Sequence, residues 1–151
     1  MAGSQKINMK LADRDLELIG SSLYLCEGTK ARTTKRSNGK MQKIFAIEFT
    51  NMDPRIISLF LQFLRRVIKA DEKRIKAELF IYPDHNEMKL KEFWVKSTNI
   101  SADRFNKTIL LRQKNLRFKP NPLGTLKIRY THKEHFLKMQ SIIEQVFGGV
   151  G

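Results

Sequence analysis

The stretch Gly20-Ser21-Ser22-Leu23-Tyr24-Leu25-Cys26-Glu27-Gly28 constrains this chain more than any other segment. Leu16, Ile19, Leu23 and Tyr24 recur at helical spacing, which predicts an amphipathic helix from about Asp13 to Glu27. Asp13 is its expected N-cap, and Gly28 is expected in the left-handed conformation that stops a helix. Small residues line one edge and let another helix backbone approach closely. Gly20, Ser22 and Cys26 are therefore read as a helix interface. Glu27 is delivered to the end of that packed helix, beside the strand that follows. A carboxylate there is well placed to hold a divalent cation.

At 151 residues the chain is long enough for one domain with a sizeable core. Hydrophobic content of 41% against 29% charged favours a folded domain over disorder. The expected layout is a tail over 1–12, one domain over 13–147 and a second tail over 148–151. A single cysteine excludes a disulfide framework or a zinc finger. The longest apolar stretch, Ile56 to Leu64, is too short to cross a bilayer. The polar N-terminus lacks a signal-peptide core, so an intracellular, cytoplasmic protein is expected, without a membrane partner.

Charge narrows the partner. The net charge is +14, and the basic residues are concentrated. Lys30, Arg32, Lys35, Arg36, Lys40 and Lys43 face one acid, Glu48, between Gly28 and Thr50. From Arg104 to Lys133 there are Arg104, Lys107, Arg112, Lys114, Arg117, Lys119, Lys127, Arg129 and Lys133, with no acid. A polyanion partner explains this, because each phosphate neutralised releases condensed counterions. A solvated basic surface is the plainer alternative. For duplex DNA, Arg32, Arg36, Arg112 and Arg129 suit guanine edges. Lys30, Lys35, Lys40, Lys43, Lys114 and Lys119 suit phosphates. Lys107, Arg117 and Lys127 lie in the same segments.

The element order follows from periodicity and turn signals. Thr29 to Arg36 and Met41 to Phe49 read as a hairpin around Ser37-Asn38-Gly39. Asp53-Pro54 opens a second helix with a wide apolar face through Ile68. Arg74 to Tyr82 alternates as a third strand, and Pro83-Asp84 should end it and cap a third helix. Phe105 to Arg112 and Gly124 to Tyr130 read as two more strands. Thr131 and Glu134 form an expected capping box for the last helix. The order suggests an internal pseudo-repeat, with halves 13–83 and 84–147. The reading is an α+β fold in which helix–hairpin–helix halves recur and helices pack behind the sheet.

With that order in view, Gly20 to Gly28 resembles the LAGLIDADG motif of homing endonucleases. Leu23, Glu27 and Gly28 match motif letters, and Cys26 stands where a small residue belongs. Leu25 replaces the first aspartate, and Gly20 and Ser21 replace the opening leucine and alanine. The resemblance implies α-β-β-α units whose curved antiparallel sheet, backed by helices, forms a saddle over the DNA major groove in a homodimer or in two fused copies. It also implies phosphodiester cleavage by motif acids from two helices converging on Mg²⁺. Glu27 would be both catalytic residue and metal ligand, shared through a homodimer packed on the helix that ends there. The family also contains non-cleaving DNA-binding regulators and RNA-binding, splicing-assisting proteins.

Other residues carry less. His132 and His135 are three apart with no third ligand evident, and His85 stands alone. Cys26 lacks a base and an oxyanion hole. No phosphate-cradling glycine loop is present. Trp94 beside Phe93 is expected in the core.

Overall fold

The computed structural model describes residues 10–30, 32–112 and 121–148 of an α+β protein. In chain order the elements are α1 (Asp13–Glu27), β1 (Arg32–Lys35), β2 (Met41–Ile44), β3 (Ala46–Asn51) and α2 (Pro54–Gln62). They continue with β4 (Ile75–Ile81), α3 (Glu87–Thr98), β5 (Ile109–Leu110), β6 (Thr125–Thr131) and α4 (Lys133–Phe147). The main sheet runs β3-β6-β4-β5, and β1 and β2 form a separate antiparallel hairpin. That hairpin turns at Asn38-Gly39, where Gly39 takes φ +83° and Arg36 exchanges backbone bonds with Lys40 and Gly39. The turn expected from Asn-Gly is therefore present.

Alternation decides which sheet face is buried. Ile47 and Phe49 of β3, Leu126, Ile128 and Tyr130 of β6, and Ile75, Ala77, Leu79 and Ile81 of β4 all join one core. Helical Leu16, Tyr24, Ile57, Phe60, Leu64, Trp94, Phe136 and Met139 complete it. Trp94 is fully buried, with its indole N–H donated to the Leu123 carbonyl at 2.8 Å.

Several caps differ from expectation. Ala12, not Asp13, is the N-cap of α1, and the Asp15 carboxylate accepts its N–H at 2.9 Å. Asp13 instead pairs with Arg66 at 2.8 Å. Asn86, not Asp84, caps α3 by accepting from the Lys89 N–H. His132, not Thr131, caps α4 through Nδ1, which accepts the His135 N–H at 3.1 Å. Asp53-Pro54 does start α2, and Arg55 beside it lowers the Asp53 carboxyl to about 2.

Gly28 is extended (φ −75°, ψ 151°), so the expected left-handed cap is not formed. Its small size matters for space: a Cβ there would lie 2.3 Å from the Tyr24 ring. Gly20 has the same property on the inner side of α1, where a Cβ would meet Phe63 Cγ at 2.1 Å. Phe63 opens a π-helical segment, Phe63–Ile68, that continues α2 and ends at Lys69 with φ 60°. The wider winding places Phe63, Leu64, Val67 and Ile68 all in the core.

The two proposed halves do not match among the described residues. The first contains a true hairpin. In the second, β5 pairs in parallel with β4, while β6 lies antiparallel between β3 and β4. Only two residues of the expected Phe105–Arg112 strand form a ladder, and Phe105 makes an isolated bridge to Ala77.

Candidate nucleic-acid interface

The alternate residues of the sheet point away from the core. They form cross-strand rows fixed by register. One row is Glu48–Arg129–Lys76 and the next is Thr50–Lys127–Glu78. Glu48 is a carboxylate only 2% exposed, 3.6 Å from both Arg129 Nη1 and Lys127 Nζ. A buried carboxylate needs such partners, since burial of an uncompensated charge is costly. Lys127 and Arg129 are thus held upright on the sheet by a shared anion beneath them.

The β1–β2 hairpin, a separate two-stranded sheet, is a second basic element. Lys35, Arg36, Lys40 and Lys43 are all exposed, and Arg36 Nε donates to Gln42 Oε1 at 2.6 Å. The register shifts by one residue between the Gly28–Phe49 bridge and the Arg32–Ile44 pair. Such a bulge bends a strand. Phe45 marks the bend, its carbonyl accepting the His132 N–H and its ring lying 5.4 and 5.5 Å from Lys43 and Lys133 Nζ. Lys30 sits elsewhere, in a groove of about 710 Å³ between the end of α1 and α4, with Tyr24, Leu25 and Phe136. Lys107 and Arg112 are exposed on either side of β5. Lys114, Arg117 and Lys119 lie outside the described residues.

Glu27 ends α1 in the open, and β3 fixes it. Asn51 Nδ2 donates to Glu27 Oε2 at 2.8 Å, while Asn51 Oδ1 accepts the Asp53 N–H at 2.8 Å. The chain after Glu27 is tied to β3 by Thr29 N–H donating to the Glu48 carbonyl at 3.0 Å. Tyr24 underlies this junction, stacked on Phe60 and donating its hydroxyl to the Thr29 carbonyl. Burial pushes that phenol up to about 12, so it stays a donor throughout the physiological range. Among the described residues no three His, Cys, Asp or Glu side chains cluster to hold a metal.

The residues read as one helix interface divide between two faces of α1. Gly20 faces inward onto Phe63 of its own chain. Ser22 and Cys26 face outward, where they line a groove of about 430 Å³ with Leu18, Ile19, Leu23 and Glu27. Leu18 in this groove is 40% exposed, whereas Leu25, 50% exposed, lines the α1–α4 groove beside Lys30. The spacing itself carries this split, because residues four apart share a helix face and residues two apart do not.

His132 and His135 are a stacked pair with ring centroids 3.8 Å apart. Tyr130 Oη accepts the Asp71 N–H at 3.0 Å and shares a 2.6 Å hydrogen bond with His135 Nδ1. Burial, then the neighbouring His132 and Lys138, hold His135 below the usual histidine range; Glu134 opposes this and Arg74 adds to it. The unfolded chain takes up this proton near about pH 6.5, before the folded one does. Stability is therefore expected to fall as pH drops below that value. Melting curves at neutral and mildly acidic pH check this: His135→Gln should lose less on acidification than the parent. An equal loss in both would remove His135 as the cause.

Sequence reasoning missed three contributors. Asn51 orients Glu27, Glu48 sits beneath two cations, and Lys76 belongs to the same face. Lys76 was legible as the polar phase of a strand that alternates Ile75, Ala77 and Leu79. Asn51 and Glu48 carried no local signal. No helix among the described residues is long and apolar enough to cross a membrane. No family model, characterised protein or solved structure matches the chain.

Proposed function

We propose that this chain is a duplex-DNA-binding protein with LAGLIDADG-like architecture. The observation that carries the reading is the pair of cationic elements: the outward sheet rows with Lys76, Lys127 and Arg129, and the separate hairpin with exposed Lys35, Arg36, Lys40 and Lys43. A bent two-stranded ribbon fits the major groove, and its cations meet phosphates and base edges. Helices cover the opposite side of the sheet, so one face is left for a polyanion.

Cleavage is a second reading, supported by the outward face of α1. Leu18, Ser22, Leu23 and Cys26 give an apolar, small-residue surface that a second copy of this helix fits. Such a dimer would bring two Glu27 carboxylates to one end of the helix pair. A Mg²⁺ ion typically takes one or two carboxylates plus substrate phosphates, and would supply polarisation of a phosphoryl oxygen and an activated water. Glu27, oriented by Asn51, is what each copy contributes. A lone copy is the non-cleaving regulator of the same fold; single-stranded or structured RNA is the remaining partner.

The mass in solution, with and without duplex DNA, separates these readings. A dimer on DNA, disturbed by Ser22→Leu or Cys26→Trp, would favour the enzyme. In that case Glu27→Gln should abolish Mg²⁺- or Mn²⁺-dependent cleavage and leave binding intact or tighter, since a charge facing phosphate is removed. A monomer on DNA that cleaves with neither metal is the regulator. Cleavage surviving Glu27→Gln would place the chemistry at other residues.

A further inference from the structure

At the end of the outward sheet face a concavity of about 360 Å³ is lined by Lys73, Arg74, Lys76, Asn106, Arg129 and Thr131. Four of these six are cations, and none is an acid. They come from four parts of the chain that only the fold brings together. Lys73 and Arg74 form a short 3-10 turn before β4, capped by Asp71. Lys76 stands on β4 directly opposite Arg129 on β6. Thr131 closes β6, and Asn106 is held beside β4 by donating its N–H to the Ala77 carbonyl at 2.8 Å.

Like charges directly opposite one another across an antiparallel pair are unfavourable. In the neighbouring row Lys127 is opposite Glu78, so the sheet compensates it. In this row Glu48 compensates Arg129 from the β3 side, leaving Lys76 facing a guanidinium. Of the carboxylates nearby, Glu72 pairs with Arg65 and Arg104, and Asp103, held first by Ser101, is drawn also to Arg104 and Lys76 from outside the lining of the concavity.

We propose that this concavity is a phosphate-binding site, made to take one tetrahedral oxyanion between Lys76 and Arg129. Lys73 and Arg74 add charge from the rim, and Asn106 and Thr131 supply neutral polar groups. A guanidinium can hold two phosphate oxygens at once, and Glu48 fixes where that guanidinium stands. The oxyanion relieves the Lys76–Arg129 opposition that the sheet leaves standing. The site rests on the DNA reading only for the polymer that carries the phosphate; a free phosphate has the same chemistry.

Two arms test it on the full chain. In the first, inorganic phosphate is titrated while backbone amide resonances are followed. Saturable shifts should concentrate at Lys73, Lys76, Asn106 and Thr131 and vanish in the Lys73→Gln/Lys76→Gln double variant. In the second, affinity for a short DNA duplex is measured against salt. The double variant should flatten the log–log slope by about 0.9, the value for one lost phosphate contact. Lys89→Gln/Lys96→Gln on α3 is the control and should leave the slope unchanged. Phosphate shifts without any duplex binding would keep the site and reject the DNA reading, identifying a free phosphate ligand. Duplex binding with an unchanged slope in the double variant, and no localised phosphate shifts, would overturn the site and keep the DNA reading.

Discussion

Affinity for duplex DNA will fall by about a thousandfold or more between roughly 50 and 200 mM salt if about six to eight cations meet phosphates. The candidates among the described residues are Lys35, Arg36, Lys40 and Lys43 on the hairpin and Lys76, Lys127 and Arg129 on the sheet. Their contributions should not be equal. Lys127 and Arg129 already share Glu48, so part of their charge is compensated before any polymer arrives. Removing a hairpin lysine should therefore flatten the salt dependence more than removing Lys127. Binding isotherms across a salt series decide this. A flat dependence, or no nucleic-acid binding at low salt, would remove the central reading.

The largest stability effect is expected at Gly20. Alanine is the better helix former by about 1 kcal/mol, so propensity alone favours Gly20→Ala. Packing opposes it: the added Cβ falls 2.1 Å from Cγ of a Phe63 ring that has no exposed surface. That ring touches Phe60, whose own neighbours are Phe49 and Tyr24, so it has little room to retreat. Overpacking of this kind costs about 1–3 kcal/mol, and the base-of-ring contact puts Gly20 at the upper end. For a chain of this size each kcal/mol lowers Tm by about 2–4 °C. The loss should be smaller in a Phe63→Leu background, because the two sites share one contact. Ser22→Ala, two residues away on the outer face, should change stability by about 0.5 kcal/mol or less. A melting temperature that rises with Gly20→Ala would show that Phe63 relaxes freely.

These two sites show how far the chain could be read. The basic segments were legible because clustering survives without a structure. What the cations do was not. Lys30 falls in the α1–α4 groove, Lys127 and Arg129 stand over Glu48, and Lys76 joins them from a strand read only for its apolar phase. Glu27 was legible as the acid at a helix end, but its alignment by Asn51 was not, since the two are 24 residues apart. Cap residues were misread for a local reason. Asp13, Thr131 and Asp84 each have a competitor within two residues, and the bond that forms depends on where the preceding strand or loop releases the chain.

By itself the sequence determined the α+β class, the extent of α1, the Asn38-Gly39 turn and the Asp53-Pro54 helix start. All of these rest on periods of two and 3.6 residues and on turn chemistry, which act over a few positions. Only the tertiary structure decided the strand neighbours, the packing of Phe63 on Gly20, and the burial of Glu48. It also replaced the expected repeat of helix–hairpin–helix halves with a β5 strand parallel to β4. Strand pairing is a contest between distant segments for the same backbone donors and acceptors, and local pattern does not name the winner. The same holds for charge: a cation's compensation is set by the cross-strand neighbour at its register, which only the folded sheet supplies.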